Sequence, residues 1–280
     1  MTVEVSHGPK AGVVGSPIEH SLSPVLHRAA YRALGLSEWT YHRNEVPAGQ
    51  LSAHLAGLDR SWAGLSVTMP GKEEALGVSV GASQRAMQTG AANTLVRRSG
   101  GWWADNTDID GITRALAERG CEQPQSAWLI GSGATARSAL MACAEMGVGQ
   151  IVLQVRLRPR PETLELCRLL GLDVIVRAYA EGWPDLRAID VAISTVPAGA
   201  QVPAAATAMP AASGVLALDV VYAPWPTDWA TQMSTAGAEV IDGSAMLLHQ
   251  AAEQVALMTG QEAPVEAMRT ALGEAVRVGE

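Results

Sequence analysis

The sequence predicts an α/β protein of two units, each with its own sheet, on three observations. The middle of the chain alternates short apolar runs with Ala/Leu-rich helical stretches, the pattern of strands joined by helices in a parallel sheet. The first hundred residues carry a separate set of strand and helix signals. A chain of 280 residues, 48% hydrophobic and 17% charged, has core material for one large or two medium domains, and we read two.

Within the first unit, AGVVGS (11–16), WTYHRNEV (39–46), WAGLSVTMP (62–70) and ANTLVRR (92–98) read as strands, and SPVLHRAAYRALGL (23–36) as a helix. Ser23 is a good N-cap residue and Pro24 a good first helical residue, so the helix is expected to begin there. DIDGITRALAERG (108–120) starts a new helix, which puts a boundary near residue 109. AWLIGSG (127–133) is a strand running into a glycine turn, ATARSALMACAEMG (134–147) a helix ended by Gly147, and IVLQVRLR (151–158) the next strand. DVAISTV (190–196), GVLALDVVY (214–222) and AEVIDG (238–243) read as further strands of the same sheet. The Ala/Pro-rich segment 197–214 reads equally as loop or short helix, and helices follow over 244–259 and 264–277. The two units expected are 1–109 and 110–243, and composition does not say on which of them the last helices pack.

Composition excludes several classes of function. A net charge of −8 and a pI near 5.3 argue against a nucleic-acid footprint, which needs a clustered basic face. Cys121, Cys143 and Cys167 form no CxxC pair and are odd in number, so neither a disulfide framework nor a metal site is expected. No signal-peptide pattern opens the chain and no apolar stretch is long enough to span a bilayer. The reading is a cytoplasmic protein whose partner is a small molecule.

The chemistry gathers in a few short motifs. Gly131, Gly133 and Ala136 make a GxGxxA turn after a strand and at the start of a helix. Glycines there let the backbone approach a pyrophosphate, whose charge meets free N–H groups at the helix N-terminus. The context is that of a Rossmann-like domain. An NAD site would place an acidic residue about 20 positions after the turn. Arg156, Arg158 and Arg160 stand there instead, and guanidinium forks suit the 2′-phosphate of NADP; a solvated basic edge is the plainer alternative. Lys72, in SVTMPGK, and Asp105, Asp108 and Asp110, in ADNTDIDG, read singly as a surface charge and a helix cap. Beside a nicotinamide they offer a lysine and a carboxylate for the proton that accompanies hydride transfer to a carbonyl. Ser21, two residues before the proposed cap, flanks a helix N-terminus where a small carboxylate binds well.

In the order GSPIEHSLSP, SVTMPGK, GAANT, DNTD, the glycine turn, DVVYAPWPT and GSAMLLHQ, these blocks resemble the shikimate dehydrogenase family over nearly the whole chain. The resemblance implies reversible NADP-dependent reduction of 3-dehydroshikimate to shikimate in aromatic amino acid biosynthesis. It implies an N-terminal substrate-binding α/β domain completed by C-terminal helices, which makes the domains 1–109 plus about 244–280, and 110–243 as a Rossmann-like domain facing the first across a cleft; a monomer or homodimer is expected. By the same resemblance Ser21 and Ser23 hold the substrate carboxylate with Tyr222 nearby, while Thr68, Asn93, Asp108 and Gln250 hold ring hydroxyls. Lys72 relays the proton, and Asp108 orients it and the substrate. The cofactor is expected on Gly131, Ser132, Gly133, Ala134, Thr135 and Ala136, with Arg156, Arg158 and Thr195. Gly243 and Met246 are expected at the nicotinamide, Met246 also being a candidate for plain core packing.

The chain departs from the family pattern in places. Ser66 stands where Asn is usual before Val-Thr, and Arg28 where Asn is common after His27. Val155 and Leu157 flank Arg156 where the family often reads Asn-Arg-Thr, which leaves dual cofactor use open. Two competing readings are an NAD-linked quinate/shikimate dehydrogenase and a catalytically silent NADP-binding sensor. The arginines oppose the first, and the grouping of Lys72, Asp108, Asn93 and Gln250 with two serines opposes the second.

Overall fold

The computed structural model describes residues 8–197, 199 and 209–279. Most of the 197–214 segment therefore lies outside the described residues. The chain divides into two compact units, 1–107 with 250–280 and 108–249.

The first unit is built on β1 (Lys10–Gly15), α1 (Ser23–Ala33), β2 (Thr40–Glu45), α2 (Leu51–Ala56), β3 (Trp62–Val67) and α3 (Lys72–Gly77). There follow β4 (Gly81–Ala82), α4 (Gln84–Thr89), β5 (Thr94–Arg98) and β6 (Gly101–Asp105). The sheet order is β2-β1-β3-β5-β6-β4. β1, β2 and β3 are mutually parallel, whereas β5 runs antiparallel to β3 and β6. That reversal places the start of β5 beside the end of β3, with Ser66 opposite Thr94 and Thr94 opposite Asp105. Val14, Leu51, Leu65, Val67, Leu95 and Ala104 belong to its buried core.

The second unit runs α5 (Asp108–Ala117), β7 (Ser126–Ile130), α6 (Ala134–Glu145), β8 (Gln150–Val155), α7 (Pro161–Leu169) and β9 (Asp173–Ala178). It continues through β10 (Val191–Ser194), β11 (Leu216–Asp219), α8 (Asp228–Thr235) and β12 (Glu239–Ile241). Its strands are all parallel, in the order β12-β11-β10-β7-β8-β9, which is the doubly wound Rossmann arrangement. β7 shows why such strands read as unbroken apolar runs. Ala127 and Leu129 join one core with Ile112 and Leu140, while Trp128 and Ile130 join another with Trp229 and Met233. The chain then enters α9 (Gly243–Thr259), within which it passes to the first unit, and ends in α10 (Val265–Gly279), packed on α1.

The sequence reading passed over β4, β6 and β9 and the helices α2, α3, α4, α7 and α8. β9 is the edge strand of its sheet, with Ile175 and Val176 exposed, so it lacks the buried pattern that marks its neighbours. α2, α3 and α4 are only six residues each, too short for helical periodicity to register.

Candidate active site

One end of the first unit's sheet collects most of the polar residues singled out in the sequence. Thr68 follows β3 and donates its N–H to the Val14 carbonyl at 2.9 Å. Lys72, half-buried, opens α3, and its carbonyl accepts the Ala92 N–H at 2.8 Å, tying it to the segment before Asn93. The Glu74 carboxylate of the same helix accepts the N–H groups of Gly49 and Leu51 at 3.0 and 2.9 Å, so it caps α2 while bracing α3. Asn93 is 2% exposed, and its Oδ1 accepts the Thr107 N–H at 2.8 Å. Its Nδ2 donates to Gln250 Oε1 at 3.2 Å, which brings α9 to this end of the sheet.

The opening turn corrects one expectation. Ser23 is not the cap of α1: Leu22 holds the cap position with helical dihedrals (φ −88°, ψ −1°), Ser23 is already in the first turn, and no side chain caps the helix. The hydroxyl that meets a backbone N–H is that of Ser21, which accepts from Ser23 N–H at 3.3 Å. Ser23 is buried, 5% exposed. Ser21, having given a lone pair to that N–H, keeps its hydrogen for an acceptor. Ser21→Ala is therefore expected to lose about 0.5 to 1.5 kcal/mol of stability along with affinity for a carboxylate ligand. Thermal melts and ligand titrations, with an analogue lacking the carboxylate as control, check it; equal loss of affinity for the analogue would remove the carboxylate assignment.

Asp108, Tyr222, Gly243 and Met246 belong to the second unit. Asp108 is 4% exposed at the start of α5. Tyr222 lies in the loop after β11, which Asp219 secures: its carboxylate accepts from the Val221 N–H at 3.1 Å and from the Thr227 hydroxyl at 2.6 Å. Burial pushes the Asp219 carboxyl upward, opposed by these hydrogen bonds. Gly243 is held against that loop. Its N–H donates to the Val221 carbonyl at 3.0 Å, and a Cβ would come within 2.1 Å of the Val220 oxygen. Met246 is 7% exposed and part of the main core of the unit, the plainer of its two readings.

The strand order reverses between β7 and β10, the switch point at which doubly wound sheets bind nucleotides. Gly131 leaves β7 there at φ +114°, and a Cβ on it would meet Thr195 Oγ1 at 2.4 Å. A Cβ on Gly133 would touch nothing within 4 Å, and no side chain caps α6, so the turn offers open backbone at a helix N-terminus. Ser132 braces the neighbouring loop: its carbonyl accepts the Thr163 hydroxyl at 2.8 Å and its hydroxyl accepts the Arg160 N–H at 3.3 Å. Arg156 and Arg158 are exposed just past β8. These residues fit a phosphorylated dinucleotide.

The Shikimate dehydrogenase substrate binding domain model matches residues 13–95, and the Shikimate 5'-dehydrogenase C-terminal domain model matches 243–272. A shikimate dehydrogenase (NADP(+)) of Thermosynechococcus vestitus is 34% identical over 287 aligned positions, covering 95% of each chain. The chain belongs to the shikimate dehydrogenase family. Among solved structures, the Mycobacterium tuberculosis shikimate dehydrogenase aligns with a TM-score of 0.83 and 43% identity, covering 95% of this chain and 99% of that one. The Thermus thermophilus enzyme, solved in complex with NADP(H) and shikimate, aligns at 0.81 and 28% identity, covering 95% and 99%.

Other features of this shikimate dehydrogenase family member escaped the sequence reading. Gln254, 1% exposed, stands one helical turn after Gln250 on α9 and bonds the Asn93 carbonyl at 3.2 Å. That i, i+4 spacing was the available signal. Tyr41 and His27 stack at 4.1 Å beneath the serine turn, and burial lowers the His27 imidazole to about 3, so it is neutral at physiological pH. A cavity of about 560 Å³, lined by Arg119, Cys121, Asp190 and Glu239 among others, opens at the amino ends of the second unit's strands, opposite the glycine turn. Among the described residues no His/Cys/Asp/Glu cluster could hold a metal ion, and no helix is long and apolar enough to cross a membrane.

Proposed function

We propose that this chain catalyses the reversible NADP-dependent reduction of 3-dehydroshikimate to shikimate, the first unit binding substrate and the second the dinucleotide. The carrying observation is the grouping of paired serines, two carboxamides and a lysine at one end of a sheet, in a chain aligned end to end with shikimate dehydrogenases (NADP(+)). Ser21 and Ser23 donate to the substrate carboxylate, with Tyr222 beside it. Thr68, Asn93, Asp108 and Gln250 hold the ring hydroxyls. Bound NADP supplies or accepts the hydride. Lys72 Nζ gives the carbonyl oxygen its proton in reduction and takes it back in oxidation, oriented with the substrate by Asp108.

The pyrophosphate lies on the backbone from Gly131 to Ala136, with Thr195 closing the turn from below. Arg156 and Arg158 meet the 2′-phosphate, and Gly243 and Met246 border the nicotinamide. Three free thiols, Cys143 and Cys167 among them buried, agree with a reducing cytoplasm, where the enzyme works as a monomer or homodimer. Steady-state kinetics with shikimate and quinate against NADP and NAD test the reading. The shikimate/NADP pair is expected to give the highest kcat/KM. A quinate/NAD optimum would reassign the enzyme, and no turnover of any pair would leave the sensor reading. The Listeria monocytogenes enzyme solved with shikimate and NAD makes the cofactor comparison a necessary arm.

A further inference from the structure

The edges of the two sheets are not alike. β4 and β12 are two and three residues long, too short to pair with another chain, and β2 presents mainly polar side chains, TYHRNE. β9 is six residues long, DVIVRA, with neither proline nor lysine, and leaves Ile175 47% and Val176 42% exposed. An edge of that kind is a template for a further strand.

Its pairing with β8 decides which backbone groups are open. The Asp173 N–H donates to the Gly149 carbonyl at 3.1 Å, so Asp173, Ile175 and Arg177 turn their backbone groups to β8 and the residues between them turn theirs outward. At both ends the outward N–H is already taken: that of Leu172 goes to the Cys167 carbonyl at 3.1 Å and that of Ala178 to Glu181 Oε1 at 2.6 Å. Val174 and Val176 are left, and their N–H and C=O groups meet no partner among the described residues.

A second copy related by a two-fold axis normal to the sheet lays its β9 antiparallel to the first. Residues that exchange hydrogen bonds in such a pair must both face outward, which allows only registers that match even-numbered residues. With Val174 opposite Val176 of the second copy, every open group is used. The same register sets Ile175 against its own counterpart on the axis, and Asp173 against Arg177 at both ends, on one face of the sheet. Moving the axis to Val174 or to Val176 calls on an N–H already taken and sets a charged side chain against Ile175. Arg177 gives Nη2 to the Glu181 carbonyl at 2.8 Å, which steadies the guanidinium and leaves further donors of the fork for a carboxylate.

We propose that β9 is a self-association edge: a second copy of this chain docks antiparallel about Ile175, held by the Val174 and Val176 backbone and by two Asp173–Arg177 pairs, and joins two six-stranded sheets into one. The proposal goes beyond the catalytic reading and does not depend on the substrate or cofactor.

Sedimentation velocity at low salt, over about 1 to 200 µM chain, tests it by mass alone. The contact is at the small end of specific interfaces, so the parent is expected to pass from 29.3 kDa towards twice that mass with a dissociation constant in the micromolar range. Asp173→Arg and Arg177→Asp each set like charges opposite one another at both ends, and each alone is expected to weaken the dimer at least about tenfold. Mixed in equal amounts, the two variants present opposite charges at both ends of a mixed dimer, which is expected to recover the parent's affinity. Val176→Pro removes an outward N–H and none of the bonds to β8, and is expected to abolish the dimer. A parent that stays monomeric throughout the range overturns the proposal. So does a dimer that both charge variants leave at parent strength, or a mixture no more associated than its components. Circular dichroism melts show which variants are folded; should a charge variant not fold, a Val176→Pro dimer of parent strength overturns the proposal.

Discussion

Lys72→Ala is expected to bind shikimate nearly as tightly as the parent and to turn over at least about a hundredfold more slowly, the lower range for removing a general acid/base. The side chain is half-buried at the first residue of α3, next to the segment that carries Asn93. The Lys72 backbone carbonyl and the Glu74 carboxylate both help to hold α3, and the substitution touches neither. Equilibrium titration of shikimate with steady-state NADPH formation separates binding from turnover. Turnover within a few-fold of the parent would remove Lys72 from the proton path and leave Asp108 as the group to vary next.

Arg156→Ala with Arg158→Ala is expected to raise KM for NADP by about tenfold or more while leaving that for NAD almost unchanged. Guanidinium–phosphate bonds are charge-assisted and each is worth about 1.5 to 3 kcal/mol, a value that solvent screening reduces at these exposed positions. NAD carries no 2′-phosphate for them to meet. The loop they stand on is fixed independently by Ser132, which accepts from Thr163 and Arg160, so the double variant should keep its glycine turn. Equal losses for both cofactors would mean that the arginines shape the strand end rather than read the phosphate.

By itself the sequence determined whatever is carried by local pattern. The glycine turn between β7 and α6 was legible because its backbone demand is local: a positive φ at Gly131, then a helix N-terminus without a side-chain cap. The buried strands of the second unit were legible because both faces are covered, as at Trp128 and Leu129, which leaves unbroken apolar runs. Ser21, Lys72, Asn93 and Gln250 entered the reading through the order of their motifs, not through any visible nearness.

Tertiary structure alone decided the rest. That Ser23 does not cap α1 follows from Leu22 adopting helical dihedrals, and the hydroxyl that meets a backbone N–H there is that of Ser21. Gln254 could not be distinguished from a surface glutamine until β5 ran antiparallel to β3 and set Thr94 opposite Ser66, with α9 against both. The physical reason is range. Propensity and turn geometry act over a few residues, whereas the pairing of a buried amide with hydroxyls 160 and 188 positions away is decided by packing, which leaves no periodic trace in the chain.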